Sequence, residues 1–293
     1  GRHMTAKTKG SRSASGRRSK KNKGASVRIP VTTLLVLIAF ALFAALKKNI
    51  PTVGPTGVEN VASTELMSVE MPDSVASNQI DYLGYTVSFN PRLHIPNWVA
   101  WELTREETMG KTPRYDKFSS DANVAGCAET YDYLYSGYDR GHMAPAADMK
   151  WSKDAMMESF YLTNICPQAR ELNTGAWRTL EEKCRQWAKA DSAIVIIAGP
   201  ILDPAPREFI GDNRVAVPRS FFKVILAPYA NPVRAIGFVM PNSKVKGGMQ
   251  AAAVSVDKVE ELTGYDFFAA LPDSIENVVE ADADFPLWSR IKP

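Results

Sequence analysis

Hydrophobic and polar positions fall into three textures along the chain. Residues 29–46 form an uncharged apolar run between a basic block and Lys47-Lys48. Residues 47–80 are polar and punctuated by Pro51, Gly54, Pro55, Gly57 and Pro72, and they read as a linker. From residue 81 periodic patterns take over. Residues 85–89 and 98–104 alternate apolar and polar positions, as half-buried strands do. Residues 193–198, 221–227 and 234–240 are short apolar runs that suit buried strands. Residues 154–161 and 176–190 carry helical spacing, and 256–263 reads as a helix closed by Gly264. Strands dominate without strict βαβ alternation. The pattern predicts an α+β domain over residues 81–280, with a mainly antiparallel central sheet flanked by helices, and then a tail over 281–293.

Charge changes the picture at the amino end. Residues 1–28 hold ten of the 35 Lys and Arg and no acid, which leaves 25 basic and 32 acidic residues, a net charge of −7, from residue 29 onward. A globally basic nucleic-acid binder is therefore excluded, and a polyanion would need a local basic groove or a metal ion. The apolar run of 18 residues is long enough for a membrane-spanning helix. With the basic tail held inside, it reads as an uncleaved signal anchor, single-pass in a bacterial inner membrane, with the domain on the periplasmic side. Secretion after signal cleavage and a mitochondrial presequence, suggested by the Arg/Ser-rich and acid-free tail, are the competing readings.

Gly1-Arg2-His3 reads as an expression scar ahead of a start at Met4, which leaves His94 and His142 as the native histidines. A multi-histidine metal cluster is excluded. Three cysteines without a CxxC spacing argue against zinc. In an exported domain one disulfide is permitted, and Cys166 with Cys184 is the expected pair, three buried thiols being the competing reading.

Two stretches carry chemistry. The first is Asp139-Arg140-Gly141-His142. On a strand Arg140 and His142 share a face. A guanidinium can hold phosphate while a neutral imidazole takes a proton from water, and nearby positive charge keeps that imidazole neutral. The second runs from Asn164 through Gln168 and Asn173 to Trp177, Glu181 and Arg185. On one helix the last three share a face, with Asn173 at or beside the N-cap. Crowded amide oxygens suit a hard cation such as Mg²⁺. Separately, a salt bridge, a capped helix and a structural histidine would account for the same residues. His94 reads as a packing residue in a loop. Asp148 supports the His142 loop or caps the next helix. Lys244, Lys246, Gly247 and Gly248 read as a solvated turn.

Taken in order, Asp139–His142, Asn164-x-x-Pro167-Gln168 and Asn173-x-x-x-Trp177-x-x-Leu180-Glu181 with Arg185 resemble the DNA/RNA non-specific endonuclease family of the ββα-metal (His-Me finger) superfamily. The segment from Val259 to Asp273 resembles that family's carboxyl end, and the likeness covers about residues 82–280. The resemblance implies a ββα-metal fold and a single-metal endonuclease acting on DNA and RNA. It implies His142 as general base and Asn173 as the one direct protein ligand of Mg²⁺, with Mn²⁺ as substitute. Glu181 would order metal-bound water, Arg140 would hold the phosphate region, and Asn164 would orient His142 or the water shell. Asp139, Gln168 and Arg185 would be supports. An upstream arginine on phosphate would be Arg114, with Arg105 as the alternative. Products would carry 5′-phosphate and 3′-hydroxyl ends. A catalytically inactive nucleic-acid-binding module of the same fold is the competing reading.

Overall fold

The structure, a computed structural model of the chain, describes residue 58 and residues 61–293. The basic tail and the apolar run 29–46 lie outside the described residues, and so does the anchor helix expected there. Among the described residues no helix is long and apolar enough to cross a membrane.

In chain order the first elements are helix α1 (Ser63–Leu66) and strands β1 (Val69–Glu70), β2 (Asn78–Asp81), β3 (Thr86–Asn90) and β4 (Ile95–Thr104). Strand β5 (Asp139–His142), helix α2 (Lys153–Glu158) and strand β6 (Ile165–Gln168) follow. Next come helix α3 (Arg178–Asp191) and strands β7 (Ala193–Pro200), β8 (Phe209–Ile210), β9 (Val215–Ala216), β10 (Ser220–Ala227) and β11 (Arg234–Pro241). The chain closes with β12 (Ala253–Val254), α4 (Val256–Thr263), β13 (Asp266–Phe267), α5 (Asp273–Val279) and α6 (Phe285–Arg290).

Seven strands form one sheet in the order β12-β11-β10-β7-β4-β3-β2. Every neighbouring pair is antiparallel, as the strand-rich pattern predicts. All eight residues of β7 are buried, because both faces of the sheet are covered. Ile194, Ile196 and Ala198 pack with Trp101, Phe221, Phe238 and Trp187 of α3 on one face. Val195 and Ile197 pack with Phe222, Val224, Val259 of α4 and Ile275 of α5 on the other. Period-2 alternation thus builds two cores from one sheet. The N-cap Ser255 accepts from the Lys258 amide, and Gly264 closes α4 in the left-handed conformation, as expected from sequence.

Both ends of the expected domain hold more structure than the pattern shows. Residues 61–80, expected as linker, carry α1, β1 and all but the last residue of β2. Leu66 is fully buried in the second core, and the Trp98 indole donates to Met71 Sδ at 3.2 Å. Residues 281–293, expected as a tail, contain α6. Its Trp288 is 1 % exposed and packs edge-on against Trp187 at 4.8 Å.

The expected Cys166–Cys184 disulfide does not form: Cys127, Cys166 and Cys184 are free thiols. Cys166 lies on β6 opposite Gly141, beside Tyr133, whereas Cys184 on α3 faces Lys223, Asp148, Arg185 and Glu181. Flanking the same stretch of sequence put them on different elements with different neighbours.

Candidate active site

Strands β5 and β6 form a separate antiparallel ladder, with Asp139 opposite Gln168 and His142 opposite Ile165. Gly141 is required there. A Cβ at that position would lie 2.4 Å from Gln168 Oε1, because the Gln168 side chain crosses over it. Past His142 the chain is clamped by Asn164. Its Oδ1 accepts from the Ala144 amide, and its Nδ2 donates to the carbonyls of Ala144 and Ser159, each at 2.9 Å. Asn164, expected to orient His142 or the water shell, spends the hydrogen bonds of its buried amide on backbone and holds the loop after the histidine.

The His142 ring sits between Phe118 at 5.3 Å and the edge of Phe160 at 5.0 Å, and its carbonyl accepts from the Trp177 indole at 3.2 Å. Its Nε2 is buried with no hydrogen-bond partner among the described residues. Burial, and then the charge of Arg114, push the imidazole down to about 3, so it is neutral at pH 7. The positive charge that acts on the ring is that of Arg114 rather than of Arg140 on the same strand.

Arg114 is exposed, pairs with Asp116, and lies 5.0 Å over the Phe160 ring that His142 also touches. Arg105 is occupied elsewhere. Its guanidinium donates to the carbonyls of Lys189 and Ala190 at the carboxyl end of α3. Arg140 stands over Phe118 and Tyr133 and donates to the Thr130 carbonyl at 2.9 Å. Sharing Phe118 with His142 places both on one side of β5.

The second half-site approaches from α3. Asn173 is not an N-cap. It sits in a wide turn, Leu172–Trp177, where the backbone leaves the helical region at Gly175. That turn carries Asn173 towards the hairpin, where its Nδ2 donates to Asp139 Oδ2 at 2.9 Å. Arg170 approaches the other Asp139 oxygen at 3.6 Å. On α3, Glu181 is half-buried, and burial pushes its carboxyl up to about 7 against the lowering charges of Lys223, Arg185 and Arg114. Arg185 donates to the fully buried Asp148 at 2.9 Å, and Asp148 also accepts from the Trp101 indole at 3.1 Å. Asp148 thus links sheet, helix and the His142 loop. Gln168 buries both amide atoms without a partner among the described residues.

Sequence reasoning missed Lys223. It is fully buried on β10, its Nζ has no hydrogen-bond partner, and it lies 4.3 Å over Trp177 and 5.6 Å over Trp101. A single lysine inside the apolar run 221–227 was the available signal. Asn242 was missed as well: it bonds Ala169 N and the Pro167 and Pro218 carbonyls, fastening β6 to the segment preceding β10. His94 is a packing residue as expected, bonded through Nδ1 to the Gly126 carbonyl at 2.7 Å. Lys244 and Lys246 are exposed beside the positive-φ glycines Gly247 and Gly248, as a turn requires.

The antiparallel pair β5/β6 bearing His142, with Asn173 in the turn before α3 and Glu181 on that helix, beside a mainly antiparallel sheet, fits an α+β nuclease fold. The model of the DNA/RNA non-specific endonuclease family matches residues 62–274. The chain belongs to that family. It is 37 % identical over 218 residues to "Nuclease EXOG, mitochondrial" of Danio rerio, covering 69 % of this chain and 63 % of that protein. It is 34 % identical over 232 residues to "Nuclease 1, mitochondrial" of Schizosaccharomyces pombe, covering 72 % and 71 %. A crystal structure of an EndoG/EndoGI complex superposes with a TM-score of 0.63 at 31 % identity, covering 67 % of this chain and 87 % of that one. The chain spans about three fifths of the length of the EXOG relative. These relatives overturn the bacterial inner-membrane placement: they are mitochondrial nucleases, and an apolar run beside basic residues does not say which membrane it addresses.

Proposed function

We propose that this chain hydrolyses phosphodiester bonds in DNA and RNA, endonucleolytically and with Mg²⁺, Mn²⁺ serving as substitute. The observation that carries the reading is the hydrogen bond from Asn173 Nδ2 to Asp139 Oδ2 at 2.9 Å, which joins the turn before α3 to the strand that bears His142.

The residues present fit a hard divalent ion. The Asn173 amide nitrogen is committed to Asp139, which leaves Oδ1, a hard oxygen donor, free of hydrogen bonds among the described residues. Asn173 would hold the ion, and the ion would supply Lewis-acid stabilisation of charge on the phosphate and the leaving 3′-oxygen.

The remaining work falls to this chain's side chains. Neutral His142 accepts a proton from water at Nε2, and the new bond forms between that water oxygen and phosphorus. The bond from phosphorus to the 3′-oxygen breaks, and that oxygen takes a proton from solvent. The products are a 5′-phosphate and a 3′-hydroxyl. Arg114 is exposed and meets a phosphate oxygen by exchanging its Asp116 partner, and Arg140, over Phe118, is a second contact. Glu181 accepts hydrogen bonds from water in the site. Arg185, Asp148 and Gln168 hold these groups in place, and Asn164 fixes the loop after His142. For the basic leader, mitochondrial relatives favour the presequence reading.

The test is cleavage of plasmid DNA and of RNA with Mg²⁺, with and without chelator, beside His142→Ala. Loss of the base lowers the rate by at least about 10²-fold. Equal cleavage by the variant removes His142 from the mechanism. Binding without cleavage across several metals favours the inactive-module reading.

A further inference from the structure

Three carboxylates converge between α4 and α5, on the sheet face opposite the histidine hairpin. Asp257 and Glu260 stand three apart on α4 and therefore share a face. Glu280 follows α5, and its carbonyl accepts from the Asp257 amide at 3.1 Å, which brings it to the same place. One carboxylate oxygen from each residue lies within 4.8 Å of the other two. Glu280 is 5 % exposed, and its Oε1 has no partner among the described residues.

Among the described residues the charges that act most on Glu280 are the acids Glu260, Glu276, Asp257 and Asp266, and burial with those charges pushes its carboxyl up to about 9. Lys258, next to Asp257, pairs with Glu261 instead. A buried carboxylate among like charges needs either a proton or a cation. Mg²⁺ dehydrates reluctantly and takes one or two carboxylates, whereas Ca²⁺ accepts about six to eight oxygens in flexible geometry, so three converging carboxylates favour Ca²⁺. Glu260 keeps one oxygen for such an ion, since its Oε1 accepts from the Phe267 amide.

We propose that Asp257, Glu260 and Glu280 bind a hard divalent cation, Ca²⁺ in preference to Mg²⁺, separate from the nuclease site. The bound ion braces α4 against α5 over the core of Val259, Ile275 and Val279. Glu280 lies beyond residues 62–274, so the site includes a ligand outside the stretch shared with the family model.

Thermal unfolding of the full chain, stripped of metal and titrated with Ca²⁺ or Mg²⁺, tests this. Millimolar Ca²⁺ raises the Tm of the Asn173→Ala protein by at least about 2 °C, and Mg²⁺ raises it less. Asp257→Asn, added to Asn173→Ala, requires at least about tenfold more Ca²⁺, and Glu280→Gln in the same background abolishes the shift. If Glu280→Gln does not fold, Asp257→Asn decides alone, since its side chain is exposed. A shift absent from Asn173→Ala, or unchanged in the Asp257 and Glu280 variants, overturns the proposal. An equal response to Mg²⁺ overturns the Ca²⁺ preference.

Discussion

Asn173 donates its amide to Asp139 at 2.9 Å, tying the turn before α3 to the first residue of the histidine hairpin. The bond joins residues 34 apart and decides which atom of the amide faces the site. Asp139, the residue of the Asp-Arg-Gly-His motif whose role was least defined, thereby acquires a task.

We predict that Asp139→Asn raises the Mg²⁺ concentration for half-maximal cleavage by about 10–100-fold, while saturating Mg²⁺ recovers most of the rate. Metal titration of activity checks this. An unchanged titration curve would show that the amide is held without Asp139.

A second prediction concerns protonation. His142 is buried next to Arg114, so its folded-state value lies below the ordinary 6.5. The folded protein then binds fewer protons than the unfolded chain between about pH 3 and 6.5. Through this group, stability is lost as pH falls across that window. NMR titration should find the His142 ring still neutral at pH 5, and Arg114→Met should move its midpoint upward. A wild-type midpoint at or above 6.5 would sink both this prediction and the electrostatic role of Arg114.

Lys223 supplies a third. Its ammonium lies over Trp177 and lowers the carboxyl of Glu181. Lys223→Met keeps the volume and removes the charge, so the Tm should hold or rise, since replacing buried charge by apolar atoms is neutral or stabilising by roughly 1–4 kcal/mol. Cleavage should nonetheless fall at least about tenfold at pH 7, with most of it regained at higher pH as Glu181 ionises. A proportionate loss of stability and activity would mean that the lysine is only packing.

The hairpin offers a fourth. Gly141→Ala drives a methyl into Gln168 and should cost about 1–3 kcal/mol in thermal or denaturant unfolding. Gln168→Ala in the same chain should restore part of that loss, a coupling that a double-mutant cycle measures. Purely additive effects would show that the close approach is relieved by other means.

The hairpin residues and α3 were legible in the sequence because their side-chain types and spacings are dictated by local geometry. The main strands were legible because two covered faces leave long apolar runs. Lys223 was not, since one lysine in an apolar strand looks the same whether it reaches solvent or lies under tryptophans. Arg114 and Phe160 were visible as residues, but only tertiary packing brings their contact beside His142. The disulfide expectation failed because cysteine spacing says nothing of side-chain direction. α1 and α6 are too short to show a period.

Trp288 also has a practical consequence. Its ring and carbonyl cover Trp187 of α3, and Arg234 lies over its ring at 5.0 Å. A fragment cut at residue 280 would bare Trp187 on the helix that carries Glu181. Losing a buried tryptophan costs about 3–5 kcal/mol, a large part of the roughly 5–15 kcal/mol that holds a domain together. Trimming for expression or crystallisation therefore has to spare the last helix.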